Sequence, residues 1–264
     1  MARSRQYNYW LDGYVKDNLD IVQNEAIPNK WDGLFIIFGR EGSGKTTFGT
    51  QCCNYLDRKF NIDICVFTPD QFTEAIENAK PESSILWDEA ITGADVSLYA
   101  SVISSSIISK LTQIRKKKHK IFICFPYLYK LNKYFISRCM GSFYIYAKDF
   151  DDRGYGYFYD YEQTQFLYGL MKEKYRFNYK MAINRAYKSF WFKFDKTFCL
   201  PEKKYDIKKE ESRQLNDSEK GWVWKDRLGQ ILTILKNDYE ITTKEIADKI
   251  GVKPPVLYTL TKNK

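Results

Sequence analysis

"LFIIFGREGSGKTT", residues 34–47, decides how the rest of the chain is read. It opens with five apolar residues, Leu34-Phe35-Ile36-Ile37-Phe38, and a run of that kind reads as a buried strand. Gly39-x4-Gly44-Lys45-Thr46 follows at once. Glycines at this spacing let successive backbone N–H groups curl around an anion without a Cβ clash. A helix beginning at Thr46 would then point the positive end of its dipole at the same anion. Strand, glycine loop and helix in this order form a P-loop, which holds the phosphates of a nucleotide. The expected ATP contacts are Gly39, Arg40, Glu41, Gly42, Ser43, Gly44, Lys45, Thr46 and Thr47. Lys45 would reach the β- and γ-phosphates, and the Thr46 hydroxyl would take one position on Mg²⁺.

Such a loop needs a carboxylate partner, and "SSILWDEA" (83–90) supplies one. Ile85-Leu86-Trp87 reads as a short buried strand ending in Asp88-Glu89. Asp88 would hold Mg²⁺ through water, and Glu89 would polarise the attacking water. An adjacent Asp-Glu pair points to hydrolysis by water. A kinase would more often show an acceptor site and lid arginines.

With 264 residues, 44% of them hydrophobic, the chain can build one sizeable core plus an appendage. Its net charge of +9 favours a polyanion such as DNA as partner. A compositional bias toward Lys, Ile, Tyr and Asn is the alternative source of that charge. The six cysteines form no C-x-x-C pair and read as small buried hydrophobes in a reducing compartment. His119 lies in a basic run and reads as a solvated surface residue. No stretch is apolar enough to span a membrane, and "MARSRQYNYWLDGY" lacks a signal-peptide core, which predicts a cytoplasmic protein.

Along the chain, residues 1–30 read as an arm or short helix packing on the core or on a neighbouring subunit. Strands are expected at 34–38, 62–67, 84–88, 120–125 and 142–147, and helices at 46–57, 70–79, 97–116 and 127–138. This alternation predicts an α/β fold, a P-loop NTPase core over 31–150 with a mainly parallel sheet flanked by helices. The helix 97–116 runs into Arg115-Lys116-Lys117-Lys118-His119-Lys120. That cluster reads either as a solvated helix end or as a DNA contact made by Lys116, Lys117 and Lys118, with Arg115 able to reach a neighbouring subunit's γ-phosphate.

Residues 151–201 are rich in aromatics and read as an accessory region, its tyrosines packing or stacking on bases. Residues 202–221 are charged and poor in apolar side chains, and read as a linker. The tail 222–264 reads as a small all-α helix-turn-helix domain. "TTKEIADKIG" would be its second helix, with Thr242 or Thr243 as cap, Ile246 and Ala247 inward and Gly251 at the turn. "KPPVLYTLTKNK" would start a third, with Lys253 and Lys262 on DNA phosphates.

Residues 34–147 resemble a P-loop ATPase of the FtsK/HerA superfamily, closest to the branch of zonular-occludens-toxin-like proteins and viral or plasmid DNA-transfer and packaging ATPases. The resemblance rests on "GREGSGKTT", "ILWDEA", the helix closing in "IRKKKHK", the strand "IFICFP" and "YLYKLNKYFISR". It implies Asp88 and Glu89 as metal and catalytic carboxylates, Arg115 as an arginine acting in trans, and a ring homo-oligomer, a hexamer by preference, that moves DNA. The family places a Gln or Asn sensor at the end of the "IFICFP" strand. Here Phe125-Pro126 stands there, so Asn132 or another residue takes the role, or hydrolysis is slow. Two other readings stay open: an AAA+ replication initiator or helicase loader, and a non-enzymatic DNA-binding switch that carries a nucleotide.

Overall fold

The run 34–38 becomes β1 (Gly33–Phe38), and every residue of it is buried. A strand that is apolar on both faces belongs at the centre of a sheet with helices above and below. The computed structural model shows this arrangement. It describes residues 7–31, 33–88, 114–175, 178–214, 232, 235 and 241–250. The chain divides into two compact units, Met1–Ile207 and Lys208–Lys264.

The first unit is an α/β layer built on a seven-stranded sheet of order β2-β3-β4-β1-β5-β6-β7. The other strands are β2 (Cys65–Val66), β3 (Ser84–Trp87), β4 (Lys120–Phe125), β5 (Gly141–Tyr146), β6 (Tyr155–Asp160) and β7 (Phe190–Lys193). From β2 to β5 all neighbours are parallel, and β6 and β7 continue the sheet antiparallel. β4 lies between β1 and β3, with Phe38 beside Phe125 and Trp87 beside Ile123. The ends of β1 and β3 therefore leave the sheet on the same side, one strand apart.

Helices cover both faces. On one lie α1 (Gly13–Ile21) and α2 (Lys45–Leu56), which bury Val15, Leu19, Phe48, Cys52 and Cys53 against Phe35, Ile37 and Leu86. On the other lie α3 (Pro69–Asn78), α4 (Lys133–Arg138), α5 (Tyr161–Glu173) and α6 (Tyr179–Arg185). These bury Phe72, Phe135, Leu167 and Ile183 against Ile36, Trp87 and Ile123. The helix starts carry their own signals. Thr68 accepts from the Gln71 amide at 3.1 Å, with Pro69 opening α3. Asp160 and Gln163 close a reciprocal capping box on α5. All six cysteines are buried and outside any disulfide, and burial pushes the thiols of Cys52, Cys53 and Cys124 well up.

Several expectations change. Residues 151–201, read as an accessory region, supply β6 and β7, which continue the sheet. The N-terminal arm packs on its own core: Leu11 pairs with Phe194, and α1 buries Val15 and Leu19. Of the helix expected at 127–138, only Lys133–Arg138 is α-helical, after a 3-10 turn at Leu128–Lys130. The charged stretch 202–221 is helical over 202–214, its described part, and buries Tyr205 and Ser212. The helix 97–116 lies outside the described residues except for 114–117, which are helical.

His119 is fully buried, contrary to its reading as a surface residue. It closes the turn before β4, where its Nε2 faces the Ile76 carbonyl at 3.2 Å and its Nδ1 has no partner. Local charge misled the reading; the ring faces inward from a basic turn. Burial, the largest cause, pushes its pKa below the usual 6.5, and the neighbouring Lys117 and Lys120 add to this. The unfolded chain then takes up a proton near pH 6.5 that the folded chain resists. The stability associated with neutral His119 is complete above pH 6.5 and falls as pH drops below it. Thermal melts from pH 7.5 to 5.5 should show this loss, and His119→Gln should flatten that part of the slope. An unchanged slope in the variant would place the titration elsewhere.

In the second unit, Thr243–Ile250 is helical. Thr242 caps it: its hydroxyl accepts from the Glu245 amide at 3.2 Å, and the Glu245 carboxylate accepts from the Thr242 amide at 2.8 Å. Ala247 and Leu232 are buried together, with Ile246 half-buried against them. The expected third helix, with Lys253 and Lys262, lies outside the described residues.

Candidate nucleotide site

Gly39 to Gly44 turn the chain from β1 into α2 using positive φ at Gly39 (147°), Gly42 (75°) and Gly44 (101°). At Gly39 the requirement is absolute. A Cβ there would stand 2.1 Å from the Ile145 carbonyl oxygen on β5. Gly44 serves as N-cap with no side-chain partner, so the first amides of α2 open toward the loop.

Lys45 folds back over this loop, and its ammonium donates to the carbonyls of Gly39 and Arg40, both at 2.9 Å. Ser43 is buried, and its Oγ has no hydrogen-bond partner. Thr46 turns toward β3, where its hydroxyl lies 3.1 Å from each oxygen of Asp88. Asp88 is only 1% exposed, so its carboxylate must be satisfied from within. A second donor comes from a distance of 117 residues, since the Tyr205 hydroxyl also donates to Asp88. The Tyr205 ring is held edge-on by Phe67 at 5.4 Å and Phe198 at 5.0 Å.

These residues fit a nucleotide phosphate and a divalent cation. The loop presents a cation, an unpaired buried hydroxyl and the amides of a helix start. Thr46 and Asp88 place two oxygen-bearing side chains together, the hard donors that Mg²⁺ takes. Two clefts open beside the loop. One of about 250 Å³ is lined by Gly44, Thr47, Phe150, Arg153 and Phe194. The other, of about 480 Å³, is lined by Arg40, Ser43, Tyr144, Tyr146 and Lys148.

The sequence-derived residues divide into three groups. Residues 39–47 and Asp88 stand together at the ends of β1 and β3. Glu89 lies outside the described residues. Arg115 to Lys118 stand at the opposite end of the sheet, before Lys120, which pairs with Gly33 at the start of β1. Five strand positions at about 3.3 Å each separate that end from the loop, roughly 17 Å. Lys118 pairs with Glu82 at 3.8 Å, and the Lys117 ammonium donates to the Glu77 carbonyl.

Asn132 caps α4, accepting from the Tyr134 amide at 2.9 Å. Phe125, at the expected sensor place, is buried in the core. The β4 side chain that does meet Asp88 is Cys124. Sequence reasoning missed both Tyr205 and Cys124. A tyrosine within a charged run was the only available signal for the first.

No protein-family model, curated protein or solved structure matches the chain.

Proposed function

We propose that the chain is a Mg²⁺-dependent ATPase coupled to DNA, working as a motor that translocates or packages it. The observation that carries the nucleotide part is the meeting of Lys45 and Thr46 with Asp88 at the ends of β1 and β3. In this reading the loop amides and Lys45 bind the β- and γ-phosphates of ATP. Thr46 and Asp88 hold Mg²⁺, which supplies neutralisation of the charge that develops on the transferred phosphoryl group. Glu89, the residue after Asp88, orients the attacking water and accepts its proton.

Arg115 lies at the far end of the sheet from its own loop, so a part for it in hydrolysis requires a neighbouring subunit. This supports a ring oligomer, with a hexamer as the expected form. β6 and β7 continue the sheet beyond β5, and α5 and α6 between them pack on its face, where the AAA+ initiator or loader reading would have a separate helical lid. That packing supports the motor reading over the alternative. The net charge of +9 and the capped helix Thr243–Ile250 support DNA as partner, the latter as part of a helix-turn-helix. Among the described residues no helix is long and apolar enough to cross a membrane.

The test is steady-state ATP hydrolysis with and without DNA. Turnover stimulated by DNA is the expected result. Binding without turnover would favour a nucleotide-carrying switch, and turnover indifferent to DNA would remove DNA as the partner.

A further inference from the structure

The antiparallel extension of the sheet has two unlike faces. One is phenylalanine-rich: Phe143, Phe158 and Phe192 pack with Phe48 of α2 in the core. On the other, Tyr144 and Tyr146 of β5 stand opposite Tyr157 and Tyr155 of β6, and Trp191 and Lys193 of β7 stand opposite Tyr157 and Tyr155 in turn. Helix α5 closes one end of this second face, where Tyr159 is buried with Leu167 and Met171. Beyond that end, Tyr144, Tyr146 and Tyr157 are half-buried and Trp191 is 43% exposed.

These rings form a continuous series. Successive centroids lie 5.3 to 6.5 Å apart, with interplanar angles of 3 to 27°. The Trp191 indole N–H donates to the Tyr146 hydroxyl at 2.9 Å, so its side chain crosses β6 to reach β5. Lysines stand over the rings. Lys148 is 4.2 Å from the Tyr155 centroid, Lys188 is 5.0 Å from that of Tyr157, and Lys193 is 5.5 Å from that of Trp191. Tyr155 is buried beneath Lys148 and Lys193, and Tyr144 stacks on Tyr179 of α6, which leaves Tyr146, Tyr157 and Trp191 as the open rings of this face. A face made for a second copy would bring these lysines against their own equivalents, a like-charge contact.

We infer that this face is a docking surface for single-stranded nucleic acid. Its bases stack on Trp191 and the neighbouring tyrosines, and its phosphates meet Lys148, Lys188 and Lys193. A duplex hides its base faces in its own stack, which is why a single strand is the occupant. The inference deepens the DNA part of the proposed function and rests on that part; Tyr144, Tyr146 and Lys148 also line the cleft beside the phosphate-binding loop, whereas Trp191, Lys188 and Lys193, which the test changes, do not.

The experiment is fluorescence anisotropy of a labelled oligothymidylate and of the matching duplex, compared at low salt and then titrated over a series of salt concentrations. The full chain is compared with Trp191→Ala, Trp191→Phe and the double variant Lys188→Glu/Lys193→Glu. The wild type should prefer the single strand. Trp191→Ala should bind it about tenfold more weakly, while Trp191→Phe keeps most of the affinity. The double variant should flatten the log–log salt dependence by about 0.7 per lost contact. All variants should bind ATP as the wild type does, which also reports that they are folded.

Unchanged oligonucleotide binding in Trp191→Ala and the double variant would overturn the inference and leave DNA binding elsewhere on the chain. A change of oligomeric state by sedimentation, with oligonucleotide binding intact, would overturn it in favour of a contact between copies. Preference for the duplex would also overturn it. A wild type that binds neither nucleic acid would overturn both the inference and the DNA part of the proposed function, leaving the ATP reading untouched.

Discussion

Replacing Lys45 by alanine is expected to remove ATP binding while leaving the chain folded. The side chain is half-buried and donates to two loop carbonyls, those of Gly39 and Arg40. It contributes nothing to either of the large apolar clusters of the first unit. The loop keeps other ties, from the Ser43 amide to the Arg40 carbonyl at 3.2 Å and from the Phe48 amide to the Gly44 carbonyl at 3.0 Å. What the variant loses is the ammonium that the proposed β- and γ-phosphates would meet. Differential scanning fluorimetry with Mg-ATP gives the readout. A ligand at 100 times its Kd stabilises the folded state by about 2.7 kcal/mol, and the wild type should show that upward shift. Lys45→Ala should melt at the wild-type temperature without ligand and show no shift with it. A variant that keeps the shift would remove Lys45 from the phosphate site. One that melts far lower without ligand would make the lysine a structural residue.

How much of this was legible depends on the range of the interactions. β1, the loop and α2 are contiguous, and each is specified by local chemistry: an apolar run, glycines at positive φ, then a helix start. The strands 84–88 and 120–125 were also readable to within a residue, because buried parallel strands are unbroken apolar runs. β6 and β7 were not. "YGYFYD" and "FWFK" carry large aromatics on both sides, the phenylalanines packed under α2 and the tyrosines partly buried under α5, so in "FWFK" only Lys193 marks the period with a polar side chain. Composition alone could not say that the second set completes a sheet. Tyr205 was hidden for a different reason. Its run, "PEKKYDIKKEES", is charged and exposed at most positions, and a lone buried aromatic gives no periodic signal. His119 was misplaced because a basic neighbourhood in sequence says nothing about where one ring points.

The site's other large effect is expected at Asp88. Asp88→Asn keeps the shape of the side chain and one oxygen able to accept from Thr46 or Tyr205, so the fold should hold. It removes the negative charge that the proposed Mg²⁺ requires. Metal stabilisation of a phosphoryl transition state is worth several kcal/mol, and hydrolysis should fall by more than about 10²-fold. Tyr205→Phe separates orientation from charge. The ring keeps its edge contacts with Phe67 and Phe198, and only the hydroxyl that donates to Asp88 is lost. Partners of this outer kind typically cost 10- to 100-fold in metal affinity when removed, and about tenfold is the expected rise in the Mg²⁺ concentration for half-maximal turnover. Nucleotide binding measured in excess EDTA should not change in either variant, because the phosphate cradle of residues 39–47 is intact in both. If Tyr205→Phe titrates with Mg²⁺ as the wild type does, the tyrosine only fills space beside Asp88. If Asp88→Asn turns over ATP at the wild-type rate, the metal carboxylate must be sought elsewhere on the loop's side of the sheet.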